Sequence, residues 1–155
     1  LYFQKSQGFE FLHPGGTFNF VLADSGTSKS TQESVASVAQ QLVERPMEGQ
    51  AILTQIGQVV EQGKQAFLDG DTKTLAIAMN HNQQLLAALE LSSPGLDQLI
   101  KTAREAGALA AKLTGGGRGG HMLALVEDSK LPLVYESLQQ ASSDRAFIAI
   151  VRNQG

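Results

Sequence analysis

Residues 112–121 read Lys-Leu-Thr-Gly-Gly-Gly-Arg-Gly-Gly-His, and five of these ten are glycine. A glycine run gives up backbone order that other residues hold at lower entropic cost. Two arrangements recover that cost: a tight strand-to-strand connection, or a backbone that approaches a ligand more closely than side chains allow. In the second case successive N–H groups form a nest that attracts anions, phosphate above all. Phosphoryl transfer asks for such a cradle, for a carboxylate, for a group that orients the acceptor, and for exclusion of water. Asp24, in Asp24-Ser25-Gly26 at the end of an apolar run, is the candidate carboxylate. Its other reading is an Asx turn, in which the side chain accepts from its own backbone two residues on.

Two phosphate motifs fail here. Gly115, Gly117 and Gly120 match G-x-G-x-x-G, but that dinucleotide fingerprint opens a helix, and Met122-Leu123-Ala124-Leu125-Val126 reads as a buried strand. Lys29-Ser30 lacks the P-loop glycines, since Ser28 and Ala23 stand at their positions. His13, His81 and His121 are too scattered for a metal-ligand pattern. Arg118 is either an inward charge or a solvated loop arginine.

The elements that must position these residues follow from periodicity. Residues 1–16 form an entry segment with an edge strand and a turn at His13-Pro14-Gly15-Gly16. Its opening, Leu1-Tyr2-Phe3-Gln4, matches the tail of a protease-cleavage tag, but Lys5 follows where tags carry Gly or Ser, and it is read as native. The domain proper is 17–155. Thr17 to Ala23 predicts a strand. Ser30 and Glu33 form a capping box for a helix with Val35, Val38, Ala39 and Leu42 inward, ended by Pro46. A second helix over 47–68 turns Leu53, Ile56, Val60 and Phe67 inward and ends at Gly70. Asp71 caps a third, with Leu75, Met79, Leu86 and Leu89 inward. Ser93-Pro94 opens a fourth, burying Leu96, Leu99, Ile100 and Ala103. Strands over 107–113 and 121–126 flank the glycine loop, a helix carries Leu131, Val134, Leu138 and Ala141, and Ala146 to Val151 reads as a buried strand. The order predicts an α+β fold, a ferredoxin-like split βαβ sheet with an enlarged helical section, mostly antiparallel and covered on one face by helices.

The 155 residues carry a net charge of −3, so neither nucleic acid nor an anionic membrane is an expected partner. There is no cysteine for a disulfide or thiolate metal site, no bilayer-length apolar run and no signal peptide, which reads as cytoplasmic.

Ala106 to Gly120 resembles the third motif of the galactokinase, homoserine kinase, mevalonate kinase and phosphomevalonate kinase superfamily, and most resembles the mevalonate kinase branch. Val21-Leu22-Ala23-Asp24-Ser25-Gly26-Thr27 resembles the family's strand ending in Ala-Asp-Thr-Gly, with Ser25 for the usual Thr. Met79-Asn80-His81-Asn82, then Leu85, Leu89, Ser92-Ser93 and Leu96-Asp97-Gln98-Leu99, resembles the helical segment before the third motif. His121 stands where many relatives carry Cys or a small residue.

The resemblance implies phosphorylation of mevalonate to 5-phosphomevalonate with ATP and Mg2+, in isoprenoid biosynthesis. It places Lys112, Thr114, Gly115, Gly116, Gly117, Gly119 and Gly120 beside phosphates and acceptor, with Asp24 and Ser25 near the acceptor. The family's Pro-x-x-x-Gly-Leu-Gly-Ser-Ser-Ala nucleotide loop and its catalytic Asp have no counterpart in this chain. The chain is therefore expected to be the C-terminal portion, with no catalytic and no metal-ligating residue of its own, inactive without the missing N-terminal half. Phosphomevalonate kinase or another sibling is the alternative within the family. Outside catalysis the alternative is an assembly module whose exposed apolar face drives a homodimer.

Overall fold

The computed structural model describes residues 2–4, 8–27, 30–143 and 145–153. In chain order the elements are β1 (Tyr2–Gln4), β2 (Gly8–Glu10), β3 (Phe18–Asp24), α1 (Thr31–Glu44), α2 (Pro46–Asp69), α3 (Thr72–Ala88), α4 (Pro94–Glu105), β4 (Ala110–Thr114), β5 (His121–Val126), a 3-10 turn (Asp128–Lys130), α5 (Leu131–Ala141) and β6 (Ala146–Val151). Among the described residues no helix is long and apolar enough to cross a membrane.

β3 to β6 form one antiparallel sheet in the order β4-β5-β3-β6. The first strand of the set lies between the third and fourth, and the second lies outside the third. This is the split βαβ arrangement expected, and α1 to α4 are the enlarged section between its first two strands. β1 and β2 make a separate hairpin. It rests on α2, where Lys64 Nζ lies 2.6 Å from Glu10 Oε2 and 4.2 Å from the centroid of the Tyr2 ring.

Strand alternation divides the core. Val21, Ala23, Leu113, Met122 and Ala124 meet Leu96, Leu99, Ile100 and Ala103 of α4 and Val134 and Leu138 of α5. Phe18, Phe20, Ala110 and Leu125 meet Ala66 of α2 and Leu75, Ala76 and Met79 of α3. The second face, expected to be free of helices, thus carries part of the α2–α3 hairpin. α4 matches its sequence pattern throughout: Ser93 Oγ accepts from Leu96 N at 3.4 Å, Pro94 opens the helix and all four expected residues are buried. Each fully buried Leu or Ile contributes about 1.5–3 kcal/mol.

Other expectations shift. Ser30 caps α1 by accepting from Gln32 N at 3.1 Å, not through a reciprocal bond with Glu33. α2 buries Val59 and Ala66; of the set expected, Phe67 packs against the core and Leu53 and Ile56 are partly buried, as is Ile52, while Val60 is exposed. Its apolar stripe is too wide for spacing alone to choose the side; the meeting of Val59 with Ala78 and Leu85 of α3 chooses it. The strand before the loop starts at Ala110, not Gly107. β6 is an edge strand and not buried: Phe147, Ile148 and Ile150 are 50%, 41% and 46% exposed.

The opposite edge, β4, is closed by side chains. Gln83 Oε1 accepts from Leu113 N at 2.8 Å, and Asn80 Nδ2 donates to Leu109 O at 3.0 Å. Arg104 Nη2 donates to Ala111 O at 3.2 Å and to Asn80 Oδ1 at 2.8 Å. Edge amides that would template another strand are thereby occupied. Gln83→Leu leaves the Leu113 amide buried without an acceptor and is expected to cost about 1–3 kcal/mol, read as a lowered denaturation midpoint. Gly57, in mid-α2 with open space where a Cβ would stand, is the control. Gly57→Ala is expected to stabilise by about 0.5–1 kcal/mol in the same measurement.

Candidate functional site

β4 and β5 pair as far as Thr114 and His121, and residues 115–120 close the hairpin. Gly115, Gly117, Gly119 and Gly120 have φ of 83°, 77°, 142° and 79°, and Arg118 has 58°. These are left-handed values that favour glycine. A Cβ on Gly117 would stand 2.4 Å from Leu91 O, and one on Gly119 would stand 2.6 Å from Thr27 O. The close approach is therefore partly to the chain's own backbone. Arg118 N donates to Leu91 O at 2.5 Å, Gly120 N to Thr27 O at 2.5 Å, and Ser25 N to Gly120 O at 2.8 Å. The nest read from sequence is thus smaller than the run of glycines suggests. The amides of Gly115, Gly116, Gly117 and Gly119 have no acceptor among the described residues. A Cβ on Gly115 or Gly120 would meet nothing within 4 Å, so the loop has a packed side and an open side.

Arg118 takes neither role expected for it. Its Nε donates to Glu90 O at 3.0 Å and its Nη2 to Ser37 Oγ at 2.6 Å, tying the loop to α1 and to the α3–α4 connection. Asp24 does form the Asx turn: Gly26 N donates to its Oδ1 at 3.0 Å, while Oδ2 lies 3.8 Å from Arg145 Nε. Ser25 Oγ hydrogen-bonds with Thr27 Oγ1 at 3.1 Å. Asp24 and Ser25 are brought to the loop, since Asp24 pairs with His121 in the sheet register. Lys112 sits further along β4, its Nζ donating to Leu113 O at 2.6 Å, and burial pushes its ammonium below the usual lysine value of 10.5. His13, His81 and His121 are all exposed.

A cavity of about 400 Å3 opens beside Gly115 and Gly116. Its far wall is Val35, Val38, Ala39 and Leu42, the apolar stripe of α1 expected to pack inward. Val35 is 64% exposed, so that stripe meets open space rather than core. Ser34 lines the same cavity, is 3% exposed, and its Oγ has no hydrogen-bond partner among the described residues. A buried polar group left so costs about 1–3 kcal/mol. Neither Ser34 nor the cavity was readable in the sequence, where a serine inside a helix carries no signal.

Residues 64–144 match the family described as GHMP kinases C terminal. The chain belongs to the GHMP kinase family. Over 135 residues it is 39% identical to the mevalonate kinase of Thermococcus sibiricus, a match covering 84% of this chain and 40% of that protein. It is 33% identical over 148 residues to the mevalonate kinase of Aeropyrum pernix, covering 93% of this chain and 44% of the relative. The crystal structure of L. major mevalonate kinase in complex with R-mevalonate superposes with a TM-score of 0.88 at 25% identity, over 98% of this chain and 48% of that one. The chain thus spans less than half the length of the relatives it matches, and its resemblance lies in the family's C-terminal part.

Two measurements probe this geometry. Gly115→Ala meets only backbone strain, about 1 kcal/mol, whereas Gly117→Ala also drives its Cβ onto Leu91 O and is expected to cost about 2 kcal/mol or more by chemical denaturation. For Lys112 the native state sheds its proton at lower pH than the unfolded chain does, so the unfolded chain binds more protons in that window. Stability then rises with pH between the depressed value and 10.5. Comparing Lys112→Met with the unaltered protein across that range is expected to show the variant's advantage at neutral pH shrinking as pH rises.

Proposed function

We propose that the complete polypeptide to which this chain belongs transfers the γ-phosphoryl of ATP to the primary hydroxyl of mevalonate, forming 5-phosphomevalonate. Residues 17–155 are its substrate-side domain and 1–16 the entry segment. The observation that carries the reading is the set of amides left without an acceptor, those of Gly115, Gly116, Gly117 and Gly119, on a rigidly held loop beside the N-terminus of α1. A Cβ on Gly116 would lie 3.0 Å from Thr31 Oγ1, at the first residue of α1. Free N–H groups and the positive end of a helix dipole favour the charge that gathers on a transferring phosphoryl group. Donors already fixed by Leu91 and Thr27 need no rearrangement when that charge develops. The mevalonate kinase relatives support the choice of acceptor.

In this reading Gly115, Gly116, Gly117, Gly119 and Gly120 border the phosphates, Lys112 and Thr114 shape the strand leading to them, and Asp24 and Ser25 border the acceptor. The proton acceptor for the hydroxyl comes from outside these residues. Mg2+ is the part these residues fit poorly: among the described residues no three His, Asp or Glu side chains gather, and Asp24 is already engaged by Gly26 and Arg145. We read the protein as cytoplasmic.

The test is a phosphoryl-transfer assay on the complete polypeptide and on this chain alone, with mevalonate and phosphomevalonate as acceptors. Turnover of mevalonate is expected from the complete polypeptide and none from this chain. Preference for phosphomevalonate overturns the choice of acceptor, and turnover by the chain alone overturns the division between the two halves.

A further inference from the structure

We propose that Arg118 is a positioning residue for the phosphoryl transfer: its side chain locks the glycine loop to α1 and to the α3–α4 connection, so that the loop's open amides stand where the transferring charge develops. The inference rests on the proposed function above and goes beyond it by giving the loop's one side chain a task apart from contact with the phosphates.

Residues 115–120 read Gly-Gly-Gly-Arg-Gly-Gly, so Arg118 carries the loop's one side chain. It does so at φ 58°, a left-handed conformation that a further glycine would adopt without strain. A strained residue in such a loop points to a task for its side chain. The guanidinium is spent on the protein itself, Nε on Glu90 O at 3.0 Å and Nη2 on Ser37 Oγ at 2.6 Å. The exposed Glu90 carboxylate, 3.9 Å from Nη2, adds little. Three consecutive carbonyls of the α3–α4 connection are engaged together. Leu89 O accepts from Gln41 Nε2 of α1 at 3.0 Å, Glu90 O from the Arg118 side chain, and Leu91 O from the Arg118 amide at 2.5 Å. Glu90, at the centre of this clamp, is also left-handed, with φ 56°.

α1 depends on the clamp because polar groups hold it. Its buried residues are Ser34 and Gln41. With Ser37 they fall at helical spacing on one side, while Val35, Val38, Ala39 and Leu42 line the cavity beside them. Hydrogen bonds from Arg118 and Gln41 therefore set where α1 lies against the loop. Without the Arg118 side chain the loop keeps the backbone bonds made by residues 118 and 120 but loses its link to α1. Glycine backbone supplies little order of its own. Amides that wander must be ordered again as charge develops, which raises the barrier and leaves ground-state binding nearly unchanged.

The test measures kcat and the KM values for mevalonate and ATP on the complete polypeptide and on its variants Arg118→Gly, Ser37→Ala and the two combined. Arg118→Gly removes the side chain and the backbone strain together, and Ser37→Ala removes one partner without altering the loop. Arg118→Gly is expected to lower kcat by about tenfold or more while both KM values stay within about twofold. Ser37→Ala is expected to lower kcat by about threefold. The combined variant is expected to be no slower than Arg118→Gly, because both changes act through one tie. Arg118→Lys, a point charge in place of a planar fork, is expected to recover part of the loss. Circular dichroism melting establishes which variants are folded; should Arg118→Gly fail to fold, Ser37→Ala and Arg118→Lys decide in its place by the same fall in kcat. Undiminished kcat in folded Arg118→Gly overturns the inference and leaves the proposed function standing. Losses that multiply in the combined variant, or a slow Arg118→Gly beside an unaltered Ser37→Ala, overturn it too, since Arg118 then acts on the substrates directly. If phosphomevalonate proves the better acceptor, the choice of acceptor falls and the same comparison is made with it. Absence of turnover with either acceptor by the unaltered polypeptide overturns the proposed function, and this inference with it.

Discussion

Arg118 N and Gly120 N each reach a carbonyl from a distant part of the chain, Leu91 O after α3 and Thr27 O before α1, at 2.5 Å. Both contacts require a backbone without side chains at the neighbouring Gly117 and Gly119. The geometry of the site depends on this closure. It fixes which amides are consumed and which remain, and it sets the N-terminus of α1 beside the loop. It also joins three connections that the sheet alone would leave independent: the end of β3, the α3–α4 link and the β4–β5 hairpin. The Arg118 side chain repeats the tie through Glu90 O and Ser37. A loop held this way loses little freedom when a charged group arrives, which is how fixed dipoles outperform mobile ones.

The glycines therefore serve two ends with one composition. Gly117 and Gly119 allow the chain to approach itself, while Gly115 and Gly120 face space. A run that looks redundant as a cradle is divided between a packed side and an open side. The same division holds for α1, whose polar neighbours at Ser30 and Ser37 anchor it while its aliphatic stripe looks outward over a cavity.

The sequence carried the element order, the strand that follows the glycine loop, and the whole of α4, because these rest on short-range chemistry. Ser93-Pro94 and the spacing of Leu96, Leu99, Ile100 and Ala103 leave a helix little choice, and Gly70 followed by Asp71 stops one helix and caps the next. What the sequence did not carry is what each apolar face meets. Periodicity groups Val35 with Val38 and Leu42, yet cannot tell core from cavity. It reads Ala146 to Val151 as interior, yet cannot tell a central strand from an edge. The Asx turn at Asp24 was one of two readings, and only the backbone around Gly26 decides it. Ser34 was invisible, because lacking a partner is a property of tertiary neighbours and not of residue type.

β6 has a consequence for handling the molecule. β4 at the other margin is sealed by Asn80, Gln83 and Arg104, but β6 presents Phe147, Ile148 and Ile150 on a strand paired along one side only. A strand of this kind offers unmatched peptide groups and greasy side chains together, an invitation to intermolecular β-addition. Charged gatekeepers are few, since Arg145 and Arg152 flank the strand and none interrupts it. Dilution during refolding, and cold storage at modest protein concentration, follow as the practical conditions for keeping the isolated chain dispersed.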